Sequence, residues 1–352
     1  MSFLLTIYFI RLVFTKGDPF FVYLFFWFLC IEYVDCNMQN GDLRSVKELS
    51  FMFFNEEVCI LFLLREEVVT LLGACAVCGG KLARHGKICK CTSKYCRKSV
   101  SLFAGSFFHG SRLPCSDVLF LAYQWLTKCS TETMCTHSGC SSRTVVAYRM
   151  YFRQLVCEML ESDCEVIGGV GVIVEVDETK VGKRKNHRGH RVEGAWVLVG
   201  VERTSERRVF AEVVANRDAA TIESVLARHV AEGSILYTDE WKAYPVAARN
   251  LGLEHRTVKH KAFFKDPVTG VHTNSVEGVN GAIKRAIPQT NRTARAIPSL
   301  LVEYVWRRRN FRNLWRAFLR ALKEVDYLGF DPLEVPDGFV EGSMEEGSSI
   351  SL

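Results

Sequence analysis

The sequence predicts an α/β protein: a mixed sheet flanked by helices, preceded by a small cysteine ribbon and a helical segment. Three observations carry this. Cys75-Ala-Val-Cys78 and Cys91-Thr-Ser-Lys-Tyr-Cys96 pair up in a stretch too poor in apolar residues to make its own core. Apolar residues recur at helical spacing on either side of it, over 42–72 and 113–160. After Gly168 and Gly169 the period changes to strand alternation. The chain has 352 residues, enough for two or three domains of roughly 100–200 residues each. Hydrophobic residues make up 48%, which excludes wholesale disorder.

The first 41 residues contain two apolar, aromatic stretches, Phe3–Phe14 and Phe20–Ile31, broken by Arg11, Lys16, Asp18 and Pro19. Neither reaches the ~18 uninterrupted apolar residues of a spanning helix, and no small-residue cleavage site follows. A membrane role is not expected, and residues 1–41 carry no functional weight. Residues 42–74 are a helical lead-in, with Leu43, Val46, Leu49, Val58, Leu61 and Phe62 at helical spacing. Residues 75–112 form the ribbon segment. Residues 113–165 form a helical domain: Leu113–Lys128 is helical, Ser130–Gly139 is polar and turn-like, and Cys140–Leu160 is helical again. Ser138–Val145 resembles the turn and first residues of a recognition helix in a helix-turn-helix, with Arg143, Thr144 and Arg149 available to DNA. The alternative is a plain helical linker.

Within 166–325 the strands come first. Val172, Val174 and Val176 alternate along one face; Ala195–Val201 and Arg208–Val214 follow, joined by a hairpin turn at Arg203–Glu206. Asp218 caps a helix with Ile222, Val225 and Leu226 on its apolar side. Ile235–Tyr237 is a short strand, and a helix begins near Glu240. Three strands, a helix, a strand, then helices is the order of a ribonuclease-H-like core. Residues 326–352 are a Gly/Ser/Glu-rich tail.

Three acids stand at the ends or starts of predicted elements. Asp177 ends the first strand, Asp239 follows the fourth, and Glu277 opens a helix. Two-metal phosphoryl chemistry uses such a set, because carboxylate oxygens are hard ligands suited to Mg²⁺ or Mn²⁺. Asp177 is expected to bridge two ions, with Asp239 and Glu277 each holding one. Glu175, Glu178, Glu240 and Asp218 compete for these roles. Glu175 shares strand parity with Asp177 but sits deeper. His260 and His272 are secondary candidates near the metals. Trp196 and Trp241 are expected to be core residues rather than base-stacking platforms.

The formal charge is +6, and it is clustered. Lys180, Lys183, Arg184, Lys185, Arg188 and Arg191 run without an intervening acid directly after Asp177, placed to hold DNA phosphates beside the site. Arg307, Arg308, Arg309, Arg312, Arg316 and Arg320 form a second basic cluster. Of 14 cysteines, most sit singly in apolar stretches and read as small buried hydrophobes in a reducing compartment. Cys75, Cys78, Cys91 and Cys96 supply the four soft ligands of one structural Zn²⁺, with Cys89 an alternative to Cys91.

The blocks GGVGVIVEVDETKVGKRKNHRGHRVEGAWVLVG, ANRDAATIESVL, YTDEWKAY and GVHTNSVEGVNGAIKR resemble the Merlin superfamily of eukaryotic DNA transposons and its bacterial insertion-sequence relatives. CRKSVSLFAGSFFHGSRLP, with the ribbon cysteines before it, is similar to that family's zinc-binding segment, so the resemblance spans 42–313. It implies a DDE transposase: an acid triad at Asp177, Asp239 and Glu277, binding of double-stranded transposon inverted repeats, donor-strand cleavage, and attack of a 3′-hydroxyl on target DNA. It implies at least a homodimer, no small-molecule cofactor, and a nuclear location. Two positions depart from the family: Asn280 stands where an aromatic is usual, and Lys259 where Asn is usual. The alternative function is a transposase-derived DNA-binding protein without catalysis.

Overall fold

The structure is a computed structural model; it describes residues 43–162, 166–182, 194–258 and 271–327. The expectations for residues 1–41 and for the tail beyond Tyr327 lie outside the described residues.

The N-terminal half is helical around a small ribbon. Helix α1 (Val46–Phe53) starts from a capping box, in which Ser45 and Glu48 satisfy each other's backbone N–H groups. Asn55 caps a second helix, α2 (Glu56–Arg65), so the helical lead-in is two helices with a break between them. Three short strands, β1 (Leu82–His85), β2 (Ile88–Cys91) and β3 (Ser99–Ser101), pair antiparallel into the ribbon. Helices α3 (Cys115–Leu126), α4 (Thr131–Ser138) and α5 (Ser142–Ser162) follow.

Helix α4 corrects the turn expected at 130–139. Its composition is polar, but Ser130 caps it and Met134 anchors it in the core. Tertiary packing overrides weak local propensity here. Gly139 ends α4 in the left-handed region, at φ 69°, where a side chain would be strained, and this turn sets α5 off in a new direction.

The second half is built on a five-stranded mixed sheet in the order β10-β9-β5-β6-β7. Strands β5 (Ile173–Val181), β6 (Ala195–Glu202) and β7 (Val209–Val214) form an antiparallel meander. Strand β9 (Ile235–Thr238) lies parallel to β5, and β10 (Glu254–Thr257) parallel to β9. The Arg203–Glu206 turn is as expected, closed by Glu202 N–H donating to the Arg208 carbonyl. A two-residue parallel pair, β4 (Ile167–Gly168) with β8 (Val230–Ala231), is additional to the sequence reading.

Helices cover both faces of the sheet. On one face α6 (Ala219–His229) and α7 (Ala243–Asn250) bring Ile222, Val225, Leu226, Tyr244 and Ala247 against Val174, Val176 and Leu198. On the other, α8 (Asn274–Ala286) and α9 (Ile297–Arg309) bring Val276, Ile283, Leu301 and Val305 against Val197, Val199 and Val201. This double coverage explains why β6 is nearly all apolar. The last helix, α10 (Leu314–Glu324), leaves the sheet. With Trp306 of α9, its Trp315 and Phe318 join the core of the N-terminal helices.

Candidate active site

Asp177 does not end its strand, as the sequence suggested. It is the fifth of the nine residues of β5. The pairing of β5 with β9 is what ends early: Ile173, Val174 and Glu175 pair with Ile235, Leu236 and Tyr237. Asp177 and Asp239 each lie two places beyond the last of these pairs, at the same end of the pairing. Asp239 is fixed by its own turn, accepting the Trp241 backbone N–H at 3.0 Å.

The third acid comes from α8. Glu277 lies in the first turn of that helix, exposed, with the Thr273 hydroxyl 3.4 Å from its Oε1. Three residues on, Asn280 Nδ2 donates to Asp177 Oδ2 at 2.8 Å. Positions three apart share a helix face, so Glu277 looks out on the side of α8 that meets Asp177. Asn280 was noted in the sequence only as a departure from a family. In the fold it touches the central acid, and its buried Oδ1 has no hydrogen-bond partner.

Glu175 takes a different role from its neighbour of the same parity. It is fully buried, and its carboxylate accepts the Ser275 and Val276 backbone N–H groups at 2.8 and 3.0 Å and Arg203 Nε at 2.5 Å. A carboxylate at a helix N-terminus meets unsatisfied N–H donors and the positive end of the dipole. Glu175 therefore ties β5 to the start of α8, two residues before Glu277. Arg203 completes the tie by donating to the His272 carbonyl at 2.7 Å and to His272 Nδ1 at 2.8 Å. His272 thus belongs to this clamp. Lys259 and His260 lie outside the described residues. Arg203 was read from sequence only as a turn residue; no local pattern marks a partner that distant.

Glu178 points to the opposite face, beneath α7. Burial raises its carboxyl to about 7, and the charges of Asp239 and then Asp177 push the same way. Tyr244 is near enough to pull it down slightly, yet neither the Tyr244 hydroxyl nor Glu178 Oε1 makes a well-formed hydrogen bond. Burial, with the nearby acids adding to it, keeps that hydroxyl far above its ordinary range. Negative charge is thus concentrated at one end of the sheet. The competitors Glu240 and Asp218 fare differently: Glu240 is exposed beside Asp239, and Asp218 caps α6 by accepting the Thr221 N–H at 2.8 Å.

Cations and aromatics border the acids. Lys180 is exposed at the end of β5, whereas Lys183, Arg184, Lys185, Arg188 and Arg191 lie outside the described residues. Trp196 is partly buried against the core, but Trp241 is 40% exposed, contrary to the expectation that both are core. It follows a strand end rather than facing the sheet. The Arg217 guanidinium stands 3.9 Å from the Trp196 ring and 4.7 Å from the Trp241 ring.

In the ribbon the Sγ atoms of Cys75, Cys78, Cys91 and Cys96 all lie within 4.8 Å of one another, a candidate metal centre. The Cys75–Cys96 and Cys78–Cys91 separations are 3.7 and 3.5 Å. Sulfurs set tetrahedrally ~2.3 Å from a zinc ion lie about 3.8 Å apart, so the set fits. Backbone N–H groups of Val77 and Cys78 lower the Cys75 thiol to about 7, favouring the thiolate a metal needs. Gly80 is required by close approach: a Cβ there would sit 3.2 Å from Cys78 Sγ and 3.3 Å from Cys91 Sγ. Cys89 points away into the helical core, 2% exposed, which leaves Cys91 as the ligand.

In the helical segment Arg143 is exposed near the start of α5. Arg149 is not available to DNA, because its guanidinium is half-buried and donates to the Cys129 carbonyl at 3.1 Å. The C-terminal arginines are also partly structural: Arg307 pairs with Glu303 at 2.8 Å and stacks 4.3 Å from the Trp125 ring.

Among the described residues no helix is long and apolar enough to cross a membrane. Comparison with protein-family models matches residues 168–308 to the ISXO2-like transposase domain. Comparison with curated proteins gave no match.

Proposed function

Because residues 168–308 match the ISXO2-like transposase domain, we propose that the chain is a transposase of that kind, which cuts the double-stranded ends of a DNA transposon and joins them to target DNA. The observation that carries this reading is the placing of Asp177 and Asp239 just past the last β5–β9 pair, with Asn280 of the helix that bears Glu277 donating to Asp177. The strand order, with an antiparallel meander extended by two parallel strands, supports a ribonuclease-H-like core.

The residues fit divalent metal ions. Asp177, Asp239 and Glu277 are hard oxygen donors, and the burial and then the neighbouring acid charges that raise Glu178 favour a nearby countercharge. Among the described residues only the cysteine set gathers three or more ligand atoms within 4.8 Å, so the acids are spaced more widely than one ion requires. When bound, two Mg²⁺ or Mn²⁺ ions activate an attacking oxygen and stabilise the leaving one. Asp177, Asp239 and Glu277 would hold these ions. Asn280 donates to Asp177 Oδ2 and so orients that carboxylate. Glu175 and Arg203 fix the helix that carries Glu277. Lys180 and the basic residues at 183–191 neutralise backbone phosphates.

The same proposal includes one Zn²⁺ in the ribbon, DNA contact through Arg143 at the α4–α5 turn, at least a dimer so that two ends meet, and a nuclear location. The test is incubation of the purified full chain with Mg²⁺ and linear DNA carrying the inverted repeats that flank its gene. Cut ends joined to a target plasmid are expected. Binding without cleavage would instead favour the reading of a DNA-binding protein without catalysis.

A further inference from the structure

An exposed tryptophan by itself calls for no explanation. Trp241 is different in how it is held. Its backbone N–H is bound by Asp239, its indole N–H donates to the Arg217 carbonyl at 3.1 Å, and the Arg217 guanidinium lies against its ring. Two contacts hold the ring and one holds its backbone, and 40% of the residue remains open to solvent.

The layer behind it is aromatic and cationic in turn. Arg217 stands over Trp196 as well as Trp241, and Lys180 Nζ is 5.6 Å from the Trp196 ring on the far side of the pair in sequence. Lys180 and Trp196 are direct partners in the β5–β6 ladder, so this layer is part of the sheet. Arg217 also stands close enough to Glu178 to pull its carboxyl down. A flat aromatic surface, backed by cations and two residues from a candidate metal ligand, matches what an unpaired nucleotide offers: a π-face and a phosphate.

We propose that Trp241, backed by Arg217 and Trp196, is a stacking platform for an unpaired base of the DNA strand processed beside it. This rests on the transposase reading, and goes beyond it by assigning a site for single-stranded DNA next to the acids. The platform is pre-ordered, so little side-chain freedom is lost when a base lands on it. Stacking tolerates any base, so the platform holds a strand end without reading its sequence.

The test uses the full chain in Ca²⁺ with two synthetic DNAs: a blunt duplex, and the same duplex with a short single-stranded 3′ extension carrying 2-aminopurine. The wild-type protein is expected to prefer the extended duplex and to quench 2-aminopurine. Trp241→Ala should bind the extended duplex about ten-fold more weakly, the loss expected of one base–aromatic stack. It should lose the quenching, and leave blunt binding unchanged. Trp241→Phe should retain most of the preference. The wild-type comparison stands without the variant, and Trp241→Ala is read only with a thermal melt matching that of the wild type. A wild-type protein without preference or quenching overturns the proposal, as does equal loss on both DNAs in Trp241→Ala. Mg²⁺-dependent cleavage, followed in parallel on the same preparation, reports on the transposase reading separately. Cleavage without the Trp241 effect sinks only the platform, whereas the effect without cleavage sinks only the transposase.

Discussion

Glu175, Asp177 and Glu178 lie within four consecutive positions of β5 and meet three different fates. Glu175 is buried and spent on backbone N–H groups and Arg203; Asp177 is half-exposed in the middle of β5, past the last β5–β9 pair; Glu178 is turned to the other face. Strand alternation made the separation of Glu178 from the other two legible in the sequence. The burial that separates Glu175 from Asp177 was legible only as depth in the strand, because it depends on where α8 begins. Asn280 was not legible as a site residue, since its partner is a hundred positions away. Glu178 gives a residue-scale prediction. Its carboxyl is raised to about 7 in the folded chain, so between its unfolded value near 4.5 and 7 the native state holds the extra proton. Stability of the metal-free protein should therefore fall as pH rises through that window, and Glu178→Gln should flatten the fall. Thermal melts at a series of pH values measure this; a slope unchanged by the substitution would remove Glu178 as its source.

At the scale of elements, the ribbon and the α8 clamp are held by different forces. The ribbon strands are only three or four residues long, and short isolated strands are marginal in water. Ribbon stability therefore depends on the four sulfurs, whose spacing was plain from the sequence. The choice between Cys89 and Cys91 was not plain, because the two share a face of β2 and differ only in place along it. Position along the strand decides it: Cys89 pairs opposite Arg84 and packs into the helical core, while Cys91, at the strand end, joins the sulfur cluster. Cys91→Ser should abolish zinc binding and make the ribbon protease-sensitive, whereas Cys89→Ser should keep about one zinc per chain. Metal analysis of the two variants checks this, and zinc lost from Cys89→Ser but kept by Cys91→Ser would reverse the assignment. Helix α4 was misread for the opposite reason to the ribbon. Its sequence is polar, and only the Ser130 cap and Met134 hint at a helix.

Across the whole molecule, the order of strands and helices from 172 onward was readable because period and punctuation agree there. How the halves are joined was not. Trp125 of α3 stacks on Trp306 of α9 at 6.0 Å, and Phe152 of α5 meets Phe318 of α10 edge-on at 5.5 Å. These contacts span most of the chain, and no local pattern encodes them. They matter for the site because α9 packs against the sheet with one part of its length and into the helical core with Trp306. The placement of the acids is thus a property of the assembled chain: Asp177 from a strand, Asp239 from a turn, Glu277 from a helix clamped by Glu175. The central claim is that Asp177 binds the metal ions of a DNA-cutting site. The most direct measurement compares cleavage of inverted-repeat DNA by the wild type, Asp177→Asn and Asp177→Cys, each in Mg²⁺ and in Mn²⁺. The account predicts no cleavage by Asp177→Asn in either ion. Asp177→Cys should be inactive in Mg²⁺ and partly active in Mn²⁺, which accepts a softer ligand. Cleavage by Asp177→Asn at the wild-type rate in Mg²⁺ would contradict it.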